Sequence, residues 1–232
     1  MNFEIFDKEP GQSISQWVYT VLNSNIIKLH LTPGSAISEA EIADRLAVSR
    51  TPIREAFIRL VEDGLLETYP QKGSIISLID IEQAEEMRFV RKIIEKAILK
   101  EACKQFDERC IFDLTANMEM QKFCQKQNHY ERMFELDNAC HRLIYRGCGR
   151  ERIWLHLKKV AYNIDRLRIL RLSSSSWDGI IQEHQRIVQI IIEHNPEEAD
   201  QAVDEHLARH IVNASALKHP EYFKQDIYAY AV

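Results

Sequence analysis

The chain has 232 residues, 45% of them hydrophobic and 28% charged, the profile of an ordinary globular protein with room for one large domain or two modest ones. A net charge of −5 excludes a protein that coats nucleic acid by bulk electrostatics. No apolar run is long enough to span a bilayer, no signal-peptide pattern opens the chain, and the five cysteines form no Cys-x-x-Cys pair, so a cytoplasmic protein with reduced, buried thiols is expected.

Residues 1–12 read as a polar, poorly ordered lead-in. Ile14, Trp17, Val18, Val21, Leu22 and Ile26 then describe a first amphipathic helix, which Leu31-Thr32-Pro33-Gly34 breaks. Ser38-Glu39-Ala40-Glu41 is a capping box, with Ile37 and Ile42 placed as a hydrophobic staple, and it opens a helix of about two turns through Leu46. Ala47-Val48 is too short for anything but a tight corner. In the next stretch Ile53, Ala56, Phe57, Leu60 and Val61 form a stripe to be buried. Thr51, Arg54, Ile58 and Arg59 face outward and Arg50 stands at the N-terminal tip. Ser49 or Thr51 suits the cap, Pro52 the first turn and Gly64 the stop.

By itself this is either an amphipathic surface helix or a reader of the major groove, where two guanidinium groups meet phosphates or guanine edges. Two short strands follow, Leu65–Tyr69 and Ser74–Leu78, joined by Pro70-Gln71-Lys72-Gly73. Three helices and a β-hairpin make a winged helix-turn-helix over residues 1–79. The same residues hold seven Lys/Arg against ten Asp/Glu, so contact with DNA must come from a few placed cations, doubled by dimerisation.

Leu31-Thr32-Pro33-Gly34, Ser38 to Leu46, Val48-Ser49-Arg50-Thr51-Pro52-Ile53-Arg54-Glu55-Ala56, Glu62-Asp63-Gly64-Leu65 and Lys72-Gly73 resemble the N-terminal domain of the GntR family of bacterial transcription regulators. The resemblance implies DNA contacts from Ser49, Arg50, Thr51, Pro52 and Arg54. It also implies a wing tip at Lys72 and Gly73 that enters the adjacent minor groove. Some members carry a DNA-reading arginine where Ala40 stands here, so fewer base contacts are expected from the second helix.

From Asp80 the pattern is helical throughout, with about six helices: 81–104, 107–127, 130–146, 150–172, 177–194 and 196–217. The fold expected is mainly α, with residues 80–232 forming an all-helical bundle that has room for a cavity, joined to the first domain by a short linker at 79–81. The tail from Glu221, with Tyr222, Phe223, Tyr228 and Tyr230, is expected to pack on a neighbouring surface.

Asp137 and His141 lie at i and i+4, about 6 Å apart on one helix face. His184 and His206 sit on apolar stripes of later helices. Burying such groups without partners costs several kcal/mol each, and one remedy is a divalent cation: zinc first, with nickel, iron(II) or manganese as alternatives. From spacing alone, a hydrogen-bonded Asp–His couple remains the plainer reading.

Asp137-Asn138-Ala139-Cys140-His141, Glu183-His184 before Ile187-Val188, Asn195 to Leu207, and Arg91-Lys92-Ile93-Ile94-Glu95 resemble the FCD ligand-binding domain of the FadR-type branch of that family. The resemblance implies a metal held by Asp137, His141, His184 and His206, and it selects His206 over His210. Cys140 stands where the family usually has an aromatic residue. Arg91 is either an i,i+4 partner of Glu95 or the partner of a ligand carboxylate, a role for which Arg166 and Arg168 compete. Trp17, Trp154 and Trp177 are expected in the core or at an interface.

The function expected is a ligand-responsive regulator, a repressor first, that binds a pseudo-palindromic operator in double-stranded DNA as a homodimer and responds to a small carboxylate at the metal. A metal-responsive regulator and a metal-dependent enzyme are the alternatives. The enzyme lacks a convincing general base, since Glu183 would point off the His184 face.

Overall fold

The computed structural model describes residues 3–69, 73–173, 177–208 and 219–224. Among these, the residues within Met1–Ile81 and Ala214–Val232 form one compact unit, and those within Glu82–Asn213 a second.

In the first unit α1 (Ile14–Ile27) opens where Ser13 Oγ accepts the Gln16 N–H at 3.1 Å, and it buries Val18, Val21, Leu22 and Ile26. β1 (Ala36–Ile37) follows, and then α2 (Glu39–Leu46), capped by Ser38 through a 3.1 Å bond from the Glu41 N–H. Ala47 takes the left-handed conformation with φ 53°, which turns the chain within three residues into α3 (Arg50–Glu62). A left-handed alanine costs about 1 kcal/mol, so the corner is held by what packs around it. Ser49 occupies the cap position of α3 without a side-chain bond.

α3 ends in a Schellman motif: Gly64, at φ +71°, donates to Val61 O at 3.0 Å and Leu65 to Leu60 O at 2.8 Å. The buried stripe runs through Ile53, Ala56, Phe57 and Leu60 but stops there. Val61, expected inside, is 42% exposed, because the helix is already turning out toward its stop.

β2 (Leu66–Tyr69) and β3 (Gly73–Ile76) pair antiparallel in the register Leu66↔Ile76 to Tyr69↔Gly73. β1 adds a third strand on the far edge of β3, pairing Ala36 with Ile75. Two residues leave no alternation to read in the sequence, so this strand was invisible there. Residues 3–13 also depart from the expected loose lead-in. The buried Asn25 side chain accepts from Glu4 N and donates to Glu4 O, both at 2.8 Å, and Trp17 Nε1 donates to Phe6 O.

The second unit holds α4 (Ile81–Lys104), α5 (Glu108–Gln127), α6 (Tyr130–Gly147), α7 (Glu151–Lys158), α8 (Tyr162–Leu172), α9 (Asp178–Ile192) and α10 (Ala199–Ala208). The segment expected as one helix over 150–172 is broken at 159–161, where Lys159 and Val160 donate three residues back in a tight turn. The break brings Lys158 back onto Asp165 as an ion pair. Asn195 does not cap a helix through its side chain. Pro196–Glu198 forms a 3-10 turn, and α10 starts one residue later. The core gathers Leu99, Ala102, Leu114, Ile144, Trp154, Ile187 and Leu207. The five cysteines are unpaired thiols, four of them buried. No described helix is long and apolar enough to cross a membrane.

The tail, assigned from sequence to the helical domain, returns to the first unit. Ile79 donates to Tyr222 O at 2.8 Å and accepts from Lys224 N at 3.2 Å, Phe223 is buried, and Lys224 pairs with Asp80. Tyr228 and Tyr230 lie outside the described residues.

Phe57→Ala removes a ring that is 4% exposed from the back of α3. Urea denaturation should show the first unit destabilised by about 3–5 kcal/mol with the transition of the second unit unmoved.

Candidate metal centre and nucleic-acid interface

Three helices of the second unit bring one polar cluster together in an otherwise apolar core. α6 supplies Asp137 and His141, α9 His184 and α10 His206; all four are buried, and their ligand atoms lie within 4.8 Å of one another. Donors on opposite sides of a first-row ion stand about 4 Å apart, so little tightening is needed.

Each imidazole is anchored through its outer nitrogen. His141 Nδ1 meets Glu95 Oε2 of α4 at 3.1 Å, and Trp154 of α7 stacks on its ring at 5.5 Å between centroids. His206 Nδ1 meets Glu183 Oε2 at 3.3 Å. His184 Nδ1 meets Gln121 Oε1 of α5 at 2.9 Å. The Gln121 amide cannot turn over, because its Nε2 donates to Asn117 Oδ1 at 2.7 Å while Asn117 Nδ2 donates to Leu136 O at 3.0 Å. Two carboxylates and an amide oxygen accept, so all three Nδ1 atoms carry the proton and all three Nε2 atoms present a lone pair inward.

Those lone pairs face each other and a carboxylate. His141 Nε2 is 3.2 Å from His206 Nε2, and His184 Nε2 is 3.0 Å from Asp137 Oδ1 yet has no hydrogen-bond partner. Neither His184 nor His206 supplies a second proton to the gap at neutral pH. Burial, with His141 and Arg168 nearby, pushes His184 down to about 3, and burial pushes His206 down to about 3 against the pull of Glu183. Convergent acceptors with no proton to share fit a cation, and neutral imidazoles with one carboxylate fit a divalent transition metal.

Arg91 forms the i,i+4 pair with Glu95 that the sequence offered, and it also reaches His141. Its Nε donates to Glu95 Oε1 at 2.8 Å, and its Nη2 lies 3.2 Å from His141 Nε2, so the guanidinium reaches the centre itself. Burial opposes the charge on Glu95, but Arg91 and His141 hold its carboxyl well below the usual carboxylate range. A water-sized cavity of about 20 Å³ adjoins the cluster, lined by Glu95, His141, Tyr145 and aliphatic side chains.

Glu95 and Gln121 escaped sequence reading, since their roles come from helices that meet only in the fold. Glu183 was set aside because it points away from the face of His184. It does, and that direction leads to His206. His210, over which the resemblance selects His206, lies outside the described residues. Arg166 bonds Asn163, and Arg168 pairs with Asp137 and Asp165, so neither shares the position of Arg91 at His141 Nε2.

In the first unit Ser49, Arg50, Thr51 and Arg54 are exposed at the start of α3 and Pro52 is half-buried. Among the described residues no ion pair engages Arg50 or Arg54. Arg45 and Arg59 are committed instead, over the Phe3 ring at 5.1 Å and the Tyr19 ring at 4.0 Å. Gly73 is exposed at the wing with φ +89°, and Ala40 is exposed on α2. Lys72 lies outside the described residues.

Residues 14–76 match the model of bacterial regulatory proteins of the gntR family, and residues 86–209 match the FCD domain. The HTH-type transcriptional repressor RspR of Escherichia coli K12 is 29% identical over 199 residues, 85% of this chain and 87% of its own. An HTH-type transcriptional regulator encoded in an unstable DNA locus of Streptomyces ambofaciens is 29% identical over 198 residues, 85% of this chain and 83% of its own. Among solved structures, E. coli McbR/YncC shares the fold with a TM-score of 0.74 at 16% identity, over 85% of this chain and 95% of that one.

The depressed histidines set an acid limit. An unfolded histidine titrates near about 6.5. His184 and His206 therefore contribute stability that is intact above that pH and drains away as pH falls toward their folded values of about 3, as the unfolded chain takes up protons. Denaturation of chelator-treated protein should show a falling midpoint between about pH 6.5 and 5, where carboxylates remain ionised. The double variant His184→Gln/His206→Gln should flatten that slope, and a wild-type midpoint constant over the window would contradict the burial of neutral imidazoles.

Proposed function

The chain belongs to the GntR family and carries an FCD domain, a transcription regulator and not an enzyme, and from that premise we propose that it is a ligand-responsive repressor acting as a homodimer on a pseudo-palindromic operator. The observation that carries the reading is the meeting of Asp137, His141, His184 and His206 with their inner nitrogens unprotonated, in the same chain as a recognition helix that has free cations at its tip. Residues 1–79 are assigned to operator binding, with Phe223 as an outlying part, and the helical bundle to sensing.

Asp137, His141, His184 and His206 hold the divalent metal, zinc first, with nickel, manganese or iron(II) as alternatives. When bound, the ion polarises and orients a small carboxylate effector as a Lewis acid. Arg91 pairs with that carboxylate, the contact a guanidinium makes in bidentate form. Glu95, Gln121 and Glu183 fix the imidazole tautomers, and Trp154 fixes the plane of His141. Repression is favoured by the name that RspR carries. A regulator in which the metal itself is the signal is the second reading, since the protein alone supplies four donor residues without any organic ligand.

On DNA, Ser49, Arg50, Thr51, Pro52 and Arg54 meet the major groove and the wing at Lys72 and Gly73 the minor groove. A bidentate base contact is worth about 1–3 kcal/mol and counts twice in a dimer, so Arg50→Ala or Arg54→Ala should weaken specific binding by at least about 30-fold. Fluorescence anisotropy on operator DNA measures this, and binding within about threefold of wild type would reject the assignment. The same assay separates the sensing readings. Chelation that abolishes only the response to an added acid marks the metal as cofactor; a change of DNA affinity with metal alone marks it as signal. Affinity unmoved by every acid and metal tried rejects sensing altogether.

A further inference from the structure

The two oxygens of Asp137 have different neighbours. Oδ1 faces the imidazoles, 3.0 Å from His184 Nε2, while Oδ2 is taken by Arg168 Nη2 from α8. Arg168 is 4% exposed and held from behind: its Nη1 donates at 2.8 Å to both Asp165 Oδ1 and Asn138 Oδ1, and the Phe134 ring lies 4.9 Å from its guanidinium carbon. Lys158 closes the array on Asp165. Charges thus alternate outward from the centre, Asp137, Arg168, Asp165, Lys158, all on adjoining helices.

We propose that Arg168 is a positioning residue of the metal centre, which by occupying Asp137 Oδ2 restricts that carboxylate to one donor oxygen, tempers the affinity for the ion and keeps coordination positions for the effector. The proposal rests on the metal reading above. Two effects act in the same direction. A cation against the ligating carboxylate repels a divalent ion, and burial magnifies that repulsion. An occupied Oδ2 cannot swing inward to chelate, so the protein offers four donor atoms, fewer than the six an octahedral ion takes. The usual outer partner of a metal ligand accepts a proton and strengthens the site, as Glu95 and Glu183 do here. Those partners serve histidines; a full positive charge on the outer oxygen of a ligating carboxylate instead opposes a second cation on the inner one. The same contact also explains why Arg168 is present: without an ion, a buried carboxylate needs a counter-charge.

The test uses the full chain and three variants. Arg168→Gln removes the charge, Arg168→Lys keeps it, and Arg168→Gln/Asp165→Asn removes it without stranding Asp165. Zinc affinity is read by competition with a chromophoric chelator, and the water count around bound manganese by proton relaxation. Both neutral variants should bind zinc about tenfold or more tighter than wild type and hold about one fewer water on manganese, with Arg168→Lys between them and wild type. Unchanged or weaker zinc binding in the folded neutral variants would overturn the proposal, leaving Arg168 a structural counter-ion. Failure of both neutral variants to fold without metal would overturn it equally. If wild type binds zinc no better than Asp137→Ala, the metal reading itself fails, and that outcome is distinct from the others.

Discussion

Four buried acceptor atoms that face one another with no proton between them set the terms for the helical unit. Three imidazole nitrogens and a carboxylate oxygen crowd a space where each repels the rest. Such an arrangement persists only if every ring is held from outside, and the bundle supplies a holder from a different helix in each case: Glu95 from α4, Gln121 from α5, Glu183 from α9. Trp154 on α7 and Arg168 on α8 add the stacking and the counter-charge. All seven helices of the bundle, α4 to α10, therefore commit polar or aromatic side chains to the support or membership of one point. The cost is high, since burying these groups without partners would disfavour the fold by several kcal/mol apiece. Because the cluster is also the polar centre of its domain, any change in these groups is felt in the packing of the helices around it.

The DNA-facing unit follows a different economy. It is acidic, and two of its arginines are used up in stacking on Phe3 and Tyr19. What remains at the head of α3 is a small set of exposed groups around Arg50 and Arg54. Sparse contacts of this kind give little non-specific affinity, because that affinity scales with the number of phosphates neutralised. Binding by such a protein therefore depends on the few contacts that this helix makes.

The pieces legible in the sequence were those with a period or a cap. The helix-turn-helix stood out through Ser38, the Pro52 first turn and the Gly64 stop, each a local backbone requirement. The Asp137–His141 couple stood out because a helix repeats, and resemblance added His184 and His206. What escaped has no local signature. Glu95 looks like an ordinary salt-bridge partner until α6 brings His141 to it, and Gln121 is an unremarked amide until Asn117 fixes its orientation. β1 is too short to alternate, and the turn at 159–161 contains no glycine or proline. Val61 and the lead-in misled for a shared reason: periodicity and polarity report what a segment could do alone, not which neighbour covers it.

Ile79 and Phe223 carry a consequence for modularity. The backbone of Ile79, at the exit of the DNA-facing unit, is satisfied by residues from the opposite terminus, and Phe223 is buried there. The unit is therefore discontinuous in sequence. A fragment ending at the linker would leave the Ile79 backbone without these hydrogen-bond partners, so the two halves of this regulator are not interchangeable beads. Recombination between relatives that cut only at the linker would separate Ile79 from its cover, and inheritance of the two termini together is the condition for an intact reader.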